Sequence, residues 1–476
     1  MWTSSLSLPG ILEGSLALGN ALFYNLMVPV LCASVLCFGC LLGTLAVSYC
    51  FFLNLKEKAN VRNQLNDFVN YYRTLSYFLF SKGSYKDCPY FKSNLQAKCH
   101  VYSLSLVFEI WDKPHYRNGT FQDDMLKNLR DVAIPGTGIP LHYFSYFKIA
   151  TYWMIFVGYP IVALVAALYA TSFKLFNVSE FMDIFVGQMI NPQDWFSFWR
   201  LNCRLATFHS SLTNFDRDYS LEDKWKFLVE AERLNVAVTP YMKVSGIVCK
   251  HRNEEGGLGF ESFKNASVGG DWIIQEKLSN GPFLSSLLPS DAPLSTFRII
   301  SSSRGGLAGL GKRQGNESVD ISDIEALSCV WRAGRSKAKT DHSAILFNVN
   351  PKTGLIKKGT TNVHWYQRGF SKIFSTPWTS EHNYTQHPDT GVQITGVTVP
   401  DMKKMMDFVR DAHLRLIPHV PLCGWDVALT PNNGMLLLEG NFSCNFFRGD
   451  FDQPAYFQFV NDYFEVLDEM NRHSVA

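Results

Sequence analysis

The sequence predicts an α+β domain behind two membrane-spanning helices. Three observations carry that expectation. Two long stretches, residues 27–53 and 149–173, contain no charged side chain. From residue 221 onward, helix-period and strand-period patterns alternate as in a soluble domain. Near the C-terminus, GWDVALTPNNGMLLLEGN (424–441) reads as two apolar strands around a Pro-Asn-Asn-Gly turn.

Length and charge set the outer bounds. A chain of 476 residues can bury a sizeable core and divide into several structural units. A net charge of +2 names no partner. No basic stripe with interleaved aromatics occurs, which argues against nucleic acid. The 14% aromatic content, with 37 Phe, agrees with a membrane-associated protein.

Residues 1–26 form an N-terminal tail without Lys or Arg. Residues 27–53 exceed the roughly 20 apolar residues that span a bilayer. They are too long for a signal peptide and lack its positive leader. Residues 54–148 mix aromatics and charges and read as an inter-helix loop or small module. Cys88 and Cys99 could pair there, and no CxxC or Cys/His spacing points to zinc. Residues 149–173 form the second span, kinked at Pro160 as membrane helices tolerate. Lys56, Lys58, Arg62 and Lys148 flank the loop, so the positive-inside rule places it in the cytosol. The C-terminal domain then faces the secretory-pathway lumen. Residues 174–220 read as a helical neck.

Beyond it come a helix at 221–235 and a strand at 236–240. The strand GIVC runs into Lys250, a charged Gly-rich loop and a second strand ending at 263. Residues 269–280 read as a strand, and 293–303 as a strand with an inward Arg298. Residues 301–316 form a Ser- and Gly-rich loop. SCVWRAGR and HSAILFNVNPKTGLI read as strands, 400–416 and 451–471 as helices.

The hairpin carries the sharpest chemistry. Asp426 lies six residues before Asn432, and Glu439 six after Asn433, so the two carboxylates face each other across the ladder. Like charges directly opposite are destabilising, and a cation resolves the repulsion. Glu439 and Asn441 are two apart and share a face. Two carboxylates and an amide oxygen suit Mg²⁺ completed by water and phosphates; a solvated hairpin face is the alternative. Lys250 precedes Gly256, Gly257 and Gly259, where backbone amides can approach an anion. The Lys stands before the glycines, so this is no Walker A motif, and a tight hairpin with a surface Lys is the plain alternative. In IIQEKL, a strand edge could read a base while Glu276 reaches a sugar hydroxyl. Arg298, inside a strand, calls for a phosphate or a salt-bridge partner.

In this order the pieces resemble the ATP-grasp superfamily, closest to its sugar-transfer-associated and glutamate-ligase-like branches, over residues 195–470. The DK of LEDKWKF followed by NVAVTP resembles the family's pre-ATP helix and strand, and KHRNEEGGLGF its glycine loop. IIQEKL resembles the adenine-hinge strand, and STFRII the strand with the phosphate-contacting Arg. WRAGRSKAKTDHSAILFNVNPKTG and HPDTGVQITGVTVPDM look like further blocks of the sugar-transfer-associated branch. GWDVALTPNNGMLLLEGN looks like its metal-binding hairpin.

The resemblance implies an ATP-grasp fold, two α+β subdomains gripping ATP. It implies Lys250 with Gly256, Gly257 and Gly259 on ATP phosphates, and Gln275, Glu276 and Leu278 around adenine and ribose. It implies Arg298 at the phosphate or acyl-phosphate end, Arg335 on substrate, and Asp426, Glu439 and Asn441 holding Mg²⁺. The activity implied is ATP-dependent ligation of a carboxylate to an amine or thiol through an acyl phosphate, on a sugar or cell-surface precursor. That chemistry places the domain in the cytosol, against the charge bias. His251, Glu254 and Glu255 depart from the family loop. They keep open a non-catalytic binding or scaffold protein, and a small-molecule kinase is the third alternative.

Overall fold

The computed structural model describes residues 55–133, 140–145, 147–171, 178–253, 260–307, 318–361, 383–431, 434–446 and 449–475. The expected span 27–53, the loop glycines Gly256, Gly257 and Gly259, and the turn pair Asn432 and Asn433 lie outside them. Helices of eight or more residues are α1 (Leu55–Leu79), α2 (Leu95–Ile110), α3 (Phe121–Leu129), α4 (Tyr159–Ala170), α5 (Val178–Ile190), α6 (Trp195–Leu212), α7 (Lys224–Arg233), α8 (Met402–Leu416) and α9 (Gln453–Val475). Strands are β1 (Gly246–Lys250), β2 (Phe260–Lys264), β3 (Thr296–Ser303), β4 (Ile324–Ala333), β5 (Ile345–Val349), β6 (Ile356–Thr360), β7 (Leu422–Thr430) and β8 (Gly434–Asn441).

The chain divides into two compact units. The first contains α1, α4 and α5. Among the described residues, one helix, Lys148–Leu168, is long and apolar enough to cross a membrane. Its centre is a π-turn, Met154–Gly158, directly before Pro160. Proline has no N–H for the carbonyl four residues back, here that of Phe156. Tyr72 donates its hydroxyl to that carbonyl at 3.1 Å, and Tyr71 donates to the Ile155 carbonyl at 2.8 Å. The kink expected at Pro160 is therefore a local widening whose exposed carbonyls are capped from α1. Asn60 and Gln64 of α1 donate to Asp183 of α5 at 2.9 and 2.7 Å.

The second unit holds the six-stranded antiparallel sheet β6-β5-β4-β3-β7-β8. Strand alternation gives it two chemically different faces. Phe297, Ile299, Cys329, Trp331, Phe347, Trp425 and Val427 pack in one core with α7 and the Met-rich α8. Their neighbours Arg298, Arg332 and Asp426 project from the opposite face. Buried Ser301 ties the apolar layer together: Trp425 Nε1 donates to its hydroxyl at 2.7 Å, and that hydroxyl meets His413 Nδ1 at 2.6 Å. His413 Nε2 lies 3.0 Å from the Val420 carbonyl. This Ser–His pair is sealed in the core and serves packing.

Two expectations are corrected. Residues 236–240 and 269–280 are not strands; they make isolated bridges, Val238 to Leu437 and Tyr241 to Gln275. Extended backbone there borrows single hydrogen bonds from neighbours rather than forming a ladder. Cys88 and Cys99 are free buried thiols, with Cys99 Sγ 3.3 Å from the Tyr85 hydroxyl. Residues 55–110, read from the sequence as part of an inter-helix loop or small module, hold two long helices, α1 and α2.

Candidate functional site

The hairpin pairs Asp426 with Glu439, but a turn-centred count reaches that pairing for an incomplete reason. Near the turn Thr430 pairs with Gly434 and Val427 with Leu437. A regular ladder would then set Leu438 opposite Asp426. The register shifts at this point, Leu438 bulges out, and Glu439 takes the place opposite Asp426. Asn441 follows on the same strand and donates to Glu439 Oε1 at 3.2 Å and to the Gly424 carbonyl at 3.4 Å.

The carboxylate repulsion is answered by cations from three other elements. Arg298 on β3 faces Asp426 in the ladder and clamps it with two bonds, Nε to Oδ1 at 2.5 Å and Nη2 to Oδ2 at 3.1 Å. Arg332 on β4 adds Nη1 to Asp426 Oδ2 at 3.1 Å. Its other terminal nitrogen donates to Asp341 Oδ1 at 2.8 Å, and Thr296 donates to Asp341 Oδ2 at 2.6 Å. Lys224, first residue of α7, reaches Glu439 Oε2 at 2.6 Å. Asp223 caps that helix by accepting from the Lys226 N–H at 2.9 Å, which aims Lys224 at the hairpin. Gly424 is required beside the clamp: a Cβ there would lie 2.7 Å from Cys444 Cβ and 3.2 Å from Arg298 Cδ.

Burial and charge oppose each other at this cluster. Asp426 and Arg298 are 5% and 8% exposed. Burial raises the Asp426 carboxyl, yet the guanidinium groups of Arg298 and Arg332 outweigh it and hold the carboxyl below its ordinary range. Asp341 goes the other way: burial raises it, and Arg332 only partly compensates. Glu222, just before α7, accepts from Arg117 Nε at 2.7 Å and from the Phe442 N–H at 2.9 Å; burial still raises its carboxyl.

Other expected residues stand apart from this cluster. Lys250 is exposed at the end of β1, its ammonium 5.8 Å from the Phe260 ring centre. Among the described residues, no hydrogen bond or ion pair joins it to the hairpin. Gln275 and Glu276 are exposed and Leu278 half-buried; the Glu276 N–H donates to the Pro240 carbonyl at 3.0 Å. Arg335 is clamped by Asp389 through bonds of 2.8 and 2.6 Å. Lys224, Arg332, Asp341 and Thr296 join this cluster without having stood among the candidates read from the sequence. Arg332 carried the same signal as Arg298, an Arg between apolar residues of a strand, and Lys224 stood in the DK pair.

A second cluster gathers His115, Asp124 and Cys203, all buried, with ligand atoms within 4.8 Å of one another. It is poorly made for a metal. His115 Nδ1 accepts the Arg117 N–H at 3.2 Å, which leaves the ring proton on Nε2, the atom facing Asp124 at 3.6 Å. The Arg117 guanidinium already lies 3.4 Å from Asp124.

The described chain is thus a mixed helix-and-sheet protein whose antiparallel sheet presents paired carboxylates and arginines on one face. Residues 327–447 match the family described as sugar-transfer associated ATP-grasp, which identifies this segment with the ATP-grasp superfamily and that branch of it. The match takes in Arg332, Asp341, Asp426, Glu439 and Asn441 and stops short of Lys250 and Arg298. The family implies nucleotide binding. No curated protein matches the chain.

Proposed function

We propose that this protein is a membrane-anchored, ATP- and Mg²⁺-dependent ligase that joins a carboxylate to an amine or thiol through an acyl phosphate. The observation that carries the reading is the Asp426–Glu439 pair, set opposite by a bulge and surrounded by Arg298, Arg332 and Lys224. Asp426, Glu439 and Asn441 fit a hard divalent cation, since they bring only oxygen donors to one patch. Mg²⁺ bound there would neutralise charge developing on transferring phosphoryl oxygens.

The chain's own cations would do the rest. Without a divalent ion, Arg298 and Lys224 neutralise the carboxylates. Once the carboxylates are engaged, both cations are freed to hold phosphate oxygens, with Arg298 offering its planar fork. Asp341 retains Arg332 within the site throughout. No side-chain nucleophile is needed, because positioning and charge neutralisation supply catalysis of this kind. Lys250 and the loop Gly256, Gly257 and Gly259 would close on the phosphates, and Gln275, Glu276 and Leu278 on adenosine. The helix Lys148–Leu168, with residues 27–53, would anchor the domain on the cytosolic face, where ATP is plentiful. A sugar-linked acceptor agrees with the family's description.

The ion pairs already formed at Asp426 and Glu439 favour one competing reading, a binding protein in which they are permanent. Thermal unfolding of the full chain with Mg²⁺ and ATP separates the two. A native-state ligand raises the midpoint by mass action. The ligase reading expects a Mg²⁺-dependent rise that Asp426→Asn/Glu439→Gln loses. No rise at millimolar ATP in folded protein would leave the scaffold.

A further inference from the structure

Arg117 sits in a turn between α2 and α3, far in sequence from the hairpin, yet its guanidinium reaches the end of β8. Pro114 and Thr120 bridge across this turn, and the His115 N–H donates to the Gly119 carbonyl at 2.9 Å. Asn118 and Gly119 close it in left-handed backbone, with φ of 86° and 73°. The turn sets Arg117 against Glu222 and Ser443. Arg117 Nε donates to Glu222 Oε1 at 2.7 Å, and Nη2 donates to the Ser443 hydroxyl at 2.7 Å. These contacts close over 105 and 326 residues of chain. The neighbouring Tyr116 ring packs 5.1 Å from Tyr219 and 5.8 Å from Phe442, centre to centre.

The place these groups grip is a weak point of the hairpin. β8 stands last in the sheet order, beside β7, and its final ladder pair is Asn441 with Gly424. The end of a strand frays more readily than its middle. Glu439 and Asn441 lie within the last three residues of β8. Beyond that end, Glu222 accepts the Phe442 N–H at 2.9 Å and Arg117 holds Ser443. Glu222 also stands two residues before Lys224, whose ammonium reaches Glu439 Oε2 at 2.6 Å. One arginine thus fixes the carboxylate that ties the exit of β8 to the start of α7.

We infer that Arg117 and Glu222 are positioning residues for the divalent-cation site: they hold the end of β8 so that Glu439 and Asn441 stay in register with Asp426, a role that rests on these three residues holding Mg²⁺. Charge and position make opposite demands on Arg117. Its removal leaves the neighbourhood more negative, which by charge alone tightens a divalent cation. Loss of the hold on β8 loosens the ligands and weakens the cation, and groups that orient metal ligands commonly carry about tenfold to a hundredfold of metal affinity.

The test is isothermal titration calorimetry of Mg²⁺ alone into the full chain, as wild type and as two variants. Arg117→Met should weaken Mg²⁺ binding by at least about tenfold. Ser443→Ala, which changes no charge, should weaken it by about threefold, the scale of one hydrogen bond. A native near-ultraviolet circular dichroism spectrum checks that Arg117→Met is folded. Unchanged or tighter binding in folded Arg117→Met would overturn the positioning role and leave the metal site standing. Should Arg117→Met lose its fold, Ser443→Ala decides: weaker binding supports the role, and wild-type affinity overturns it. No Mg²⁺ binding by wild type would remove the metal reading of the hairpin, and the positioning role with it.

Discussion

Asp426→Asn is the perturbation that probes the hairpin most directly. The side chain changes little in shape but loses its charge. In the wild type that charge receives two bonds from Arg298 and one from Arg332, all in a buried setting. An amide can still accept one of them, yet two buried guanidinium groups then lack their counter-ion. Breaking a buried pair from one side costs about 3–5 kcal/mol. Urea unfolding followed by tryptophan fluorescence reads this well, since Trp331 and Trp425 are both buried in the same sheet. A double-mutant cycle with Arg298→Met should return a coupling of about 2 kcal/mol or more. The pH dependence adds a second signature. The folded carboxyl sits below its ordinary value of 3.8, so its stabilisation is complete above that value. It is lost as pH falls through the folded value, and Asp426→Asn should flatten that acid limb. A variant within about 0.5 kcal/mol of wild type, the level of a neutral surface change, would refute the clamp.

Three further outcomes follow from the same structure. Lys224→Met should change stability by less than about 1 kcal/mol, because an exposed ion pair contributes little, while titration calorimetry should show Mg²⁺ binding more tightly without nucleotide. Tyr72→Phe should cost about 1 kcal/mol by removing the cap on the Phe156 carbonyl, and Pro160→Ala, which restores a backbone N–H, should shrink that cost in thermal unfolding. Burial holds His413 and His115 near a pKa of about 4 and His209 near about 3, all neutral at pH 7. The unfolded chain binds those protons first, near pH 6.5. Stability is therefore full above that pH and should fall as pH drops toward 4, by up to about 1.4 kcal/mol per pH unit for each histidine. A urea midpoint that stays level across this window would contradict their burial.

The parts legible in the sequence were those with a local period. Alternation placed β3, β4, β7 and β8, with Arg298 inside one strand and Asp426 opposite Glu439 across a hairpin; apolar spacing placed α8 and α9. Extended pieces without a full ladder, such as residues 236–240, were read as strands because extended backbone and paired strand leave the same pattern. The long helices α1 and α2 were not resolved within the stretch read as a loop or small module, because their aromatic and polar residues give no clean stripe.

What the sequence by itself determined is the hairpin with its oxygen donors, a very apolar helix beside Lys148 and a family resemblance centred on both sides of the Pro-Asn-Asn-Gly turn. What only the tertiary structure decided is who neutralises those donors. The bulge at Leu438 sets Glu439 opposite Asp426, and the strand order β4-β3-β7-β8 brings Arg332 and Arg298 to one carboxylate across more than ninety residues of chain. Periodicity fixes which face a side chain takes; the neighbour it meets depends on strand order and register, which non-local packing selects.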